Sequence, residues 1–362
     1  MIRLIKYYSF VFIFLVVTSA FISSCKTDFS VAGEYDERPI IHFIIDPSDE
    51  IHFMKLNKTF LGDGNAFDFA KVPDSSYFDT VHAVLQEVVD DEVEREWVLY
   101  DTIIENKEDG AFYAPEQKLY CFRADDLGPP DFSTKKYRYR LNLDIENGKH
   151  IVTGEIELVR DIEIDAPSQN IALNFMKTKT EYGAQQIRYT LGNAEVYNTQ
   201  LIFRYREVKD GAASLRTTTI NIGTSTRDDF TSSTGFHTLS GNRFYEILRE
   251  RIPVDNAVTR RQFRGFEIIV TAGSQDLNNY MIANKPTSSL TQNKPVFTNV
   301  EGALGIFSSR RTVTMFKPQY VAPAIRALSS NSTEELCEGA LTIALGFCSE
   351  IPLDNDKSFA CN

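Results

Sequence analysis

The amino-acid sequence predicts a mainly β protein made of tandem β-sandwiches, immunoglobulin-like then fibronectin type III-like, with a small helical insertion. Three observations predict it. Aromatic residues are abundant, with 26 Phe and 16 Tyr against one Trp, and β-branched residues are frequent, a composition suited to half-buried strands. Short apolar runs, one of them strictly alternating over ten residues, recur at close spacing. Asn, Asp, Gly and Pro punctuate them.

Residues 1–24 read as a targeting segment. Arg3 and Lys6 give a basic start, and residues 10–21 are apolar. A dozen residues fall short of the roughly 20 that cross a bilayer, which fits a signal-peptide core. Ile22-Ser23-Ser24-Cys25 then matches a lipoprotein signal peptidase site. The small residues let the peptidase reach the backbone, and the Cys25 thiol takes a diacylglycerol. An ordinary secretory peptide ending near a cysteine is the competing reading. Acyl chains hold by about 0.8 kcal/mol per buried methylene, so Cys25 anchors the chain to a membrane and residues 25–38 form a polar tether.

Formal net charge is -12, and losing Arg3 and Lys6 with the leader takes it to -14. An acidic surface repels phosphate backbones, which sets nucleic-acid binding aside. Of five cysteines, acylation leaves Cys121, Cys337, Cys348 and Cys361. An oxidising compartment permits two disulfides among them, in three connectivities. Three of the four crowd the last 26 residues, which predicts at least one bridge within the tail. Free buried thiols are the alternative.

The first sandwich, 39–165, opens with strand-like runs at 40–45, 51–55, 80–88, 96–104 and 118–122. The clearest strand is 136–145. There Tyr137, Tyr139, Leu141, Leu143 and Ile145 alternate with Lys136, Arg138, Arg140, Asn142 and Asp144, giving one buried and one wet face. Glu146-Asn147-Gly148-Lys149 tolerates positive φ, so a hairpin returns through 151–158. Ala166-Pro167 marks a boundary, since proline cannot donate to a ladder. The second sandwich, 166–320, carries runs at 171–177, 185–191, 195–208, 215–222, 263–271 and 311–317. Two helices interrupt it: 241–251 behind the N-cap Ser240, ending at Pro253, and 275–283 behind Ser274. Loop is expected over 284–310. The Cys-containing tail, 321–362, has a capping box at Ser332-Thr333-Glu334-Glu335 before a short helix, then a strand at 341–347.

Chemistry-bearing constellations are scarce. There is no Gly-x-Ser-x-Gly elbow. Ser133-Thr134-Lys135-Lys136 fits Ser-x-x-Lys but leads into a strand, where its Ser and Lys would not lie one helical turn apart. His42, His52, His82, His150 and His237 form no His-x-x-x-His, and the cysteines form no Cys-x-x-Cys. His42 and His52 flank Asp46, Asp49 and Glu50, a set that holds a cation if a hairpin closes there and is otherwise a solvated acidic turn. Asp90-Asp91-Glu92 lacks the alternating ligands and glycine of a calcium loop and reads as a hairpin tip. Trp97 stacks on a sugar ring if exposed and belongs to the core if not. No catalytic residue, metal ligand or cofactor is therefore expected, although carboxylates paired for glycoside hydrolysis leave no spacing to read. Asp79-Thr80-Val81 and Asp101-Thr102-Ile103 match the Asp-Ser/Thr-apolar acceptor of O-glycosylation in Bacteroidota, making Thr80 and Thr102 candidates.

Residues 295–310, Pro-Val-Phe-Thr-Asn-Val-Glu-Gly-Ala-Leu-Gly-Ile-Phe-Ser-Ser-Arg, resemble the C-terminal signature of an uncharacterised Bacteroidota lipoprotein family. That signature runs roughly Pro…Thr-Asn-Ile-x-Asn-Gly-Leu-Gly-Ile-Phe. Here Glu301 replaces its second Asn, and Ala303 is an extra residue before Leu304. Asp109-Gly110-Ala111-Phe112-Tyr113 and Asn193-Ala194-Glu195-Val196-Tyr197 are similar too. The resemblance implies a non-catalytic outer-membrane lipoprotein that accompanies a TonB-dependent transporter in nutrient uptake. A surface glycan-binding or adhesive module is the alternative. Gly302 and Gly305 permit close backbone approach, as a loop closing the second sandwich or as a binding loop. Lys26-Thr27-Asp28 is a weak form of a surface-export signal and leaves outward or periplasmic display open.

Overall fold

The computed structural model describes residues 37–59, 65–110, 112–128, 135–285 and 297–361. Residues 1–36, with Cys25 among them, and Ser133 lie outside them. The first unit contains β1 (Pro39–Ile45), β2 (Ile51–Lys58), α1 (Ala66–Ala70), α2 (Pro73–Ser76), β3 (Val81–Val89), β4 (Glu92–Glu105), β5 (Glu116–Arg123), β6 (Tyr137–Ile145) and β7 (His150–Ile156). The second contains β8 (Ile164–Ala166), β9 (Ala184–Thr190), β10 (Val196–Lys209), β11 (Ala212–Thr226), β12 (Thr234–Ser240), α3 (Gly241–Arg251), β13 (Val258–Gly273), α4 (Gln275–Asn284) and β14 (Leu304–Pro318). After them come β15 (Tyr320–Val321), β16 (Ile325–Arg326), α5 (Ser330–Glu338) and β17 (Phe347–Cys348). The protein is mainly β with a small helical part.

Alternation builds the first core. Tyr137, Tyr139, Leu141, Leu143 and Ile145 of β6 are all buried, beneath half-buried or exposed polar neighbours. Three hairpins turn where the backbone accepts left-handed φ: Asp90 and Asp91 before β4, Glu146 to Gly148 before β7, and Asp210 with Gly211 before β11. The acidic run at 90–92 is thus the tip of the β3–β4 hairpin. In the second unit, β11-β10-β13-β14 faces β12-β9-β8. Tyr189 and Ile187 meet Tyr197, Phe203, Phe266 and Ile268 across the gap, all in one buried cluster. Helix α3 is capped by Ser240, whose side chain accepts from the Arg243 amide, and it buries Phe244 against Phe175 with ring centroids 4.0 Å apart.

One strand belongs to both units. The main sheet runs β11-β10-β13-β14-β1-β2-β5-β4-β3-β6-β7. The first half of β14, Leu304 to Ser309, lies parallel to β1, while Arg310 to Pro318 pair antiparallel with β13. Just ahead of β14, Glu301 exchanges two backbone hydrogen bonds with Thr153 of β7, at 2.8 and 3.2 Å. The first unit's strands therefore wrap round and close on β14. Phe307 fills the space enclosed, stacked on Phe43 at 5.2 Å, and with Val300 it belongs to the first core. Burying such a ring contributes about 1.5–3 kcal/mol.

Several expectations need correction. The motif at 295–310, where described, closes the first unit rather than the second sandwich. The boundary at 165/166 is shifted and interrupted: Leu158 lies in the first core and Val159 in the second, and residues 300–307 return to the first. The tail is no separate segment, because Leu328, Leu336, Leu345, Phe347 and Phe359 join the second core. Residues 171–177 form isolated bridges instead of a strand. Ser332 Oγ accepts from the amides of Phe175 and Met176, so a side chain does the work of a neighbouring strand. Residues 341–347 are mostly a 3-10 turn ending at Gly346, whose φ is 68°.

Candidate functional site

Of the four tail and core cysteines, Cys348 and Cys361 are bonded to each other. Cys121 on β5 and Cys337 on α5 are free thiols, and burial pushes the Cys337 thiol up to about 12. They sit in different units, which is why no second bridge forms.

Between His42 and His52 the chain makes the solvated turn expected at Ser48, Asp49 and Glu50, all exposed, but Asp46 is withdrawn from it. Asp46 is 1% exposed and accepts from Arg310 Nε at 3.2 Å and from Thr312 Oγ1 at 2.7 Å. It pins the end of β1 to the middle of β14. His42 Nε2 lies 2.8 Å from the Tyr280 hydroxyl on α4, and His52 Nε2 lies 3.0 Å from the Ala124 carbonyl oxygen. Burial lowers both imidazole pKa values. Among the described residues, no three His, Cys, Asp or Glu side chains gather to hold a metal.

A Ser–His contact that the spacing did not reveal lies in the second sandwich. His237 Nε2 is 2.9 Å from Ser225 Oγ, and Nδ1 faces the hydroxyls of Thr199 and Tyr189 at 2.8 and 3.1 Å. Burial lowers the His237 pKa, and among the described residues no carboxylate bonds Nδ1 to support an imidazolium. The cluster satisfies a buried ring instead of activating Ser225. Trp97 is similarly occupied, tilted against Phe122 at 5.8 Å and covered by the Arg95 guanidinium at 4.8 Å.

The candidate site is a recess of about 230 Å³ at one end of the first unit. Inward-facing positions alternate along β4 and β5. Beyond the last buried members, Leu99 and Tyr120, the same faces present Ile103, Lys118 and Glu116 to the opening. The segment from Pro73 to Asp79 covers it, anchored by the buried Phe78 ring. Tyr113 adds a further wall. Its hydroxyl donates to Glu116 Oε2 at 3.0 Å, and that bond raises the phenol pKa. Lys118 Nζ donates to the Phe78 carbonyl oxygen at 3.2 Å and lies 3.9 Å from Asp101.

Both Asp-Thr motifs border this recess, since Asp79 and Ile103 line it. Thr80 is exposed, with its amide donating to Glu146 Oε1 at 3.3 Å. Thr102 is half-buried in β4, opposite Leu119. Tyr77 and Glu116 carried no sequence signal, because they lie 39 residues apart and meet only where the 73–79 segment covers the end of β5. The Phe112–Tyr113 pair stood in a motif noted for its resemblance alone.

No protein-family model matches the chain, and no curated protein sequence does. A solved structure, the C-terminal globular domain of an oligosaccharyltransferase from Pyrococcus abyssi, aligns at 13% identity and a TM-score of 0.16. The alignment covers 57% of this chain and 48% of that one, so the chain spans about half the length of that structure. A score that low carries no argument. Among the described residues, no helix is long and apolar enough to cross a membrane.

Proposed function

We propose that the chain is a non-catalytic outer-membrane lipoprotein, held by acyl chains on Cys25, that partners a TonB-dependent transporter in nutrient uptake. The address rests on the basic start, the apolar run and Ile22-Ser23-Ser24-Cys25. The observation that carries partner binding is an apolar row on the outside of the first unit. Phe53, Cys121 and Tyr100 stand directly opposite one another across β2, β5 and β4. Ile51 and Val98 lie one pleat along. Tyr100 is 68% exposed, Phe53 42%, Val98 40% and Ile51 39%. Scattered apolar side chains are ordinary on a surface, whereas a contiguous set crossing three strands marks a contact face.

Affinity purification of the tagged full chain from native outer membranes should recover a β-barrel partner. Phe53→Asp combined with Tyr100→Asp should lose that partner while keeping the native circular dichroism. Repeated recovery of the wild-type chain alone contradicts the reading. Palmitate incorporation should vanish in Cys25→Ser, and label persisting in that variant contradicts the anchor.

A further inference from the structure

We infer that the recess between α2 and the β4–β5 pair binds a small organic cation with an apolar body, such as an arylalkylammonium ion. The inference is independent of how the chain is anchored. The walls are Tyr77, Phe78 and Tyr113 together with Ile103 and Pro73, and the rim carries Asp74, Asp79 and Glu116. The cation already present, Lys118, is engaged by the Phe78 carbonyl oxygen and faces Asp101 outside the lining. Glu116 is engaged by the Tyr113 hydroxyl. The side chains of Asp74 and Asp79 make no hydrogen bond or ion pair with any described residue. Two uncompensated carboxylates thus border a cavity whose available rings are Tyr77 and Tyr113, since Lys58 Nζ already lies 5.5 Å over the buried Phe78 ring. An ammonium group gains from both, through charge attraction at the rim and through the ring quadrupoles. An anion would be repelled, and a neutral sugar would use the rings without gaining from the net negative rim. The volume lies below the roughly 300–1,000 Å³ of drug-sized sites, which restricts the ligand to a single ring with a short arm.

The test uses the full-length protein in detergent and two matched probes, 2-phenylethylammonium and its neutral analogue 2-phenylethanol, titrated by NMR. The cation should bind about threefold or more tightly than the alcohol. That preference should shrink as salt rises from about 0.01 M to about 0.15 M, shortening the screening length from roughly 30 Å to 8 Å. Asp74→Asn with Asp79→Asn, both exposed and thus compatible with folding, should erase the preference of the cation over the alcohol. Tyr113→Ala should weaken both probes. Equal affinity for the two probes, binding of neither, or a preference that survives the double Asn variant would overturn the inference. Saturable binding of a neutral methyl pyranoside in place of the ammonium probe would overturn it in favour of glycan recognition.

Discussion

At Gly305 the backbones of β1 and β14 pass so closely that an added Cβ would sit 2.0 Å from the Ile41 carbonyl oxygen, and φ is 106°. Gly302 is held against the Ile151 carbonyl in the same way, with 2.1 Å available. Asn299 completes the closure with two hydrogen bonds to the Phe307 main chain, donating to its oxygen at 2.6 Å and accepting from its nitrogen at 3.0 Å. Gly148, by contrast, has a positive φ but open space around it. Gly148→Ala should cost about 1–2 kcal/mol, the left-handed penalty alone. Gly305→Ala must also displace a strand and should cost more than about 3 kcal/mol. Urea midpoints measure the difference, and equal shifts in the two variants would refute the close-approach argument. The sequence signals at this scale were uneven. The glycines could be recognised as places of close approach, but not what they approach. Asp46 could not be recognised as a buried pin, because Arg310 and Thr312 come from the far end of the chain. Lys317 escaped for the same reason. It is fully buried, donates to the Ser168 and Gln169 carbonyl oxygens, and burial pushes its pKa down to about 8.

Elements with a local cause were legible. The ten-residue alternation of β6, the Asn-Gly turn, and the Ser240 and Ser274 caps each declare themselves within a few residues. Elements with a distant cause were not. The first half of β14 reads as a glycine-rich loop, because its pairing partner β1 lies more than 250 residues upstream. Residues 171–177 read as a strand from their apolar pattern, yet Ser332 and the tail satisfy their backbone. The tail is held by Arg326, whose guanidinium pairs bidentately with Asp354 at 3.0 Å for both bonds. Asp354 is 1% exposed and also accepts from Ser349 Oγ at 2.7 Å. Removing one partner leaves a buried charge unmatched, so Asp354→Ala should cost about 3–5 kcal/mol. Mass-resolved hydrogen exchange should show protection lost first at α5 and β17. A variant with wild-type exchange in those elements would show that the disulfide and apolar packing alone hold the tail.

The two cores share a single continuous strand, and that fact governs the molecule as a whole. The first half of the sequence is not complete by itself, since the first unit lacks its closing edge until residues 300–309 return. The candidate recess lies within the first unit, where the segment from Pro73 to Asp79 covers the ends of the paired strands β4 and β5. The sandwich class and the positions of α3 and α4 could be read in advance, whereas α1, α2 and the recess could not. Its aromatic and acidic side chains come from two separate stretches, 73–79 and 113–116, brought together across the β4–β5 pair. Shared strands couple stability, so the two units should unfold as one cooperative body. Trp97, the chain's one tryptophan, lies in the first unit against Phe122. Its fluorescence therefore reports that unit during urea unfolding, while hydrogen exchange of β10 and β13 reports the second. Coincident midpoints for the two probes are predicted. A Trp97 transition clearly separated from the loss of β10 and β13 protection would contradict the claim that β14 locks both cores together.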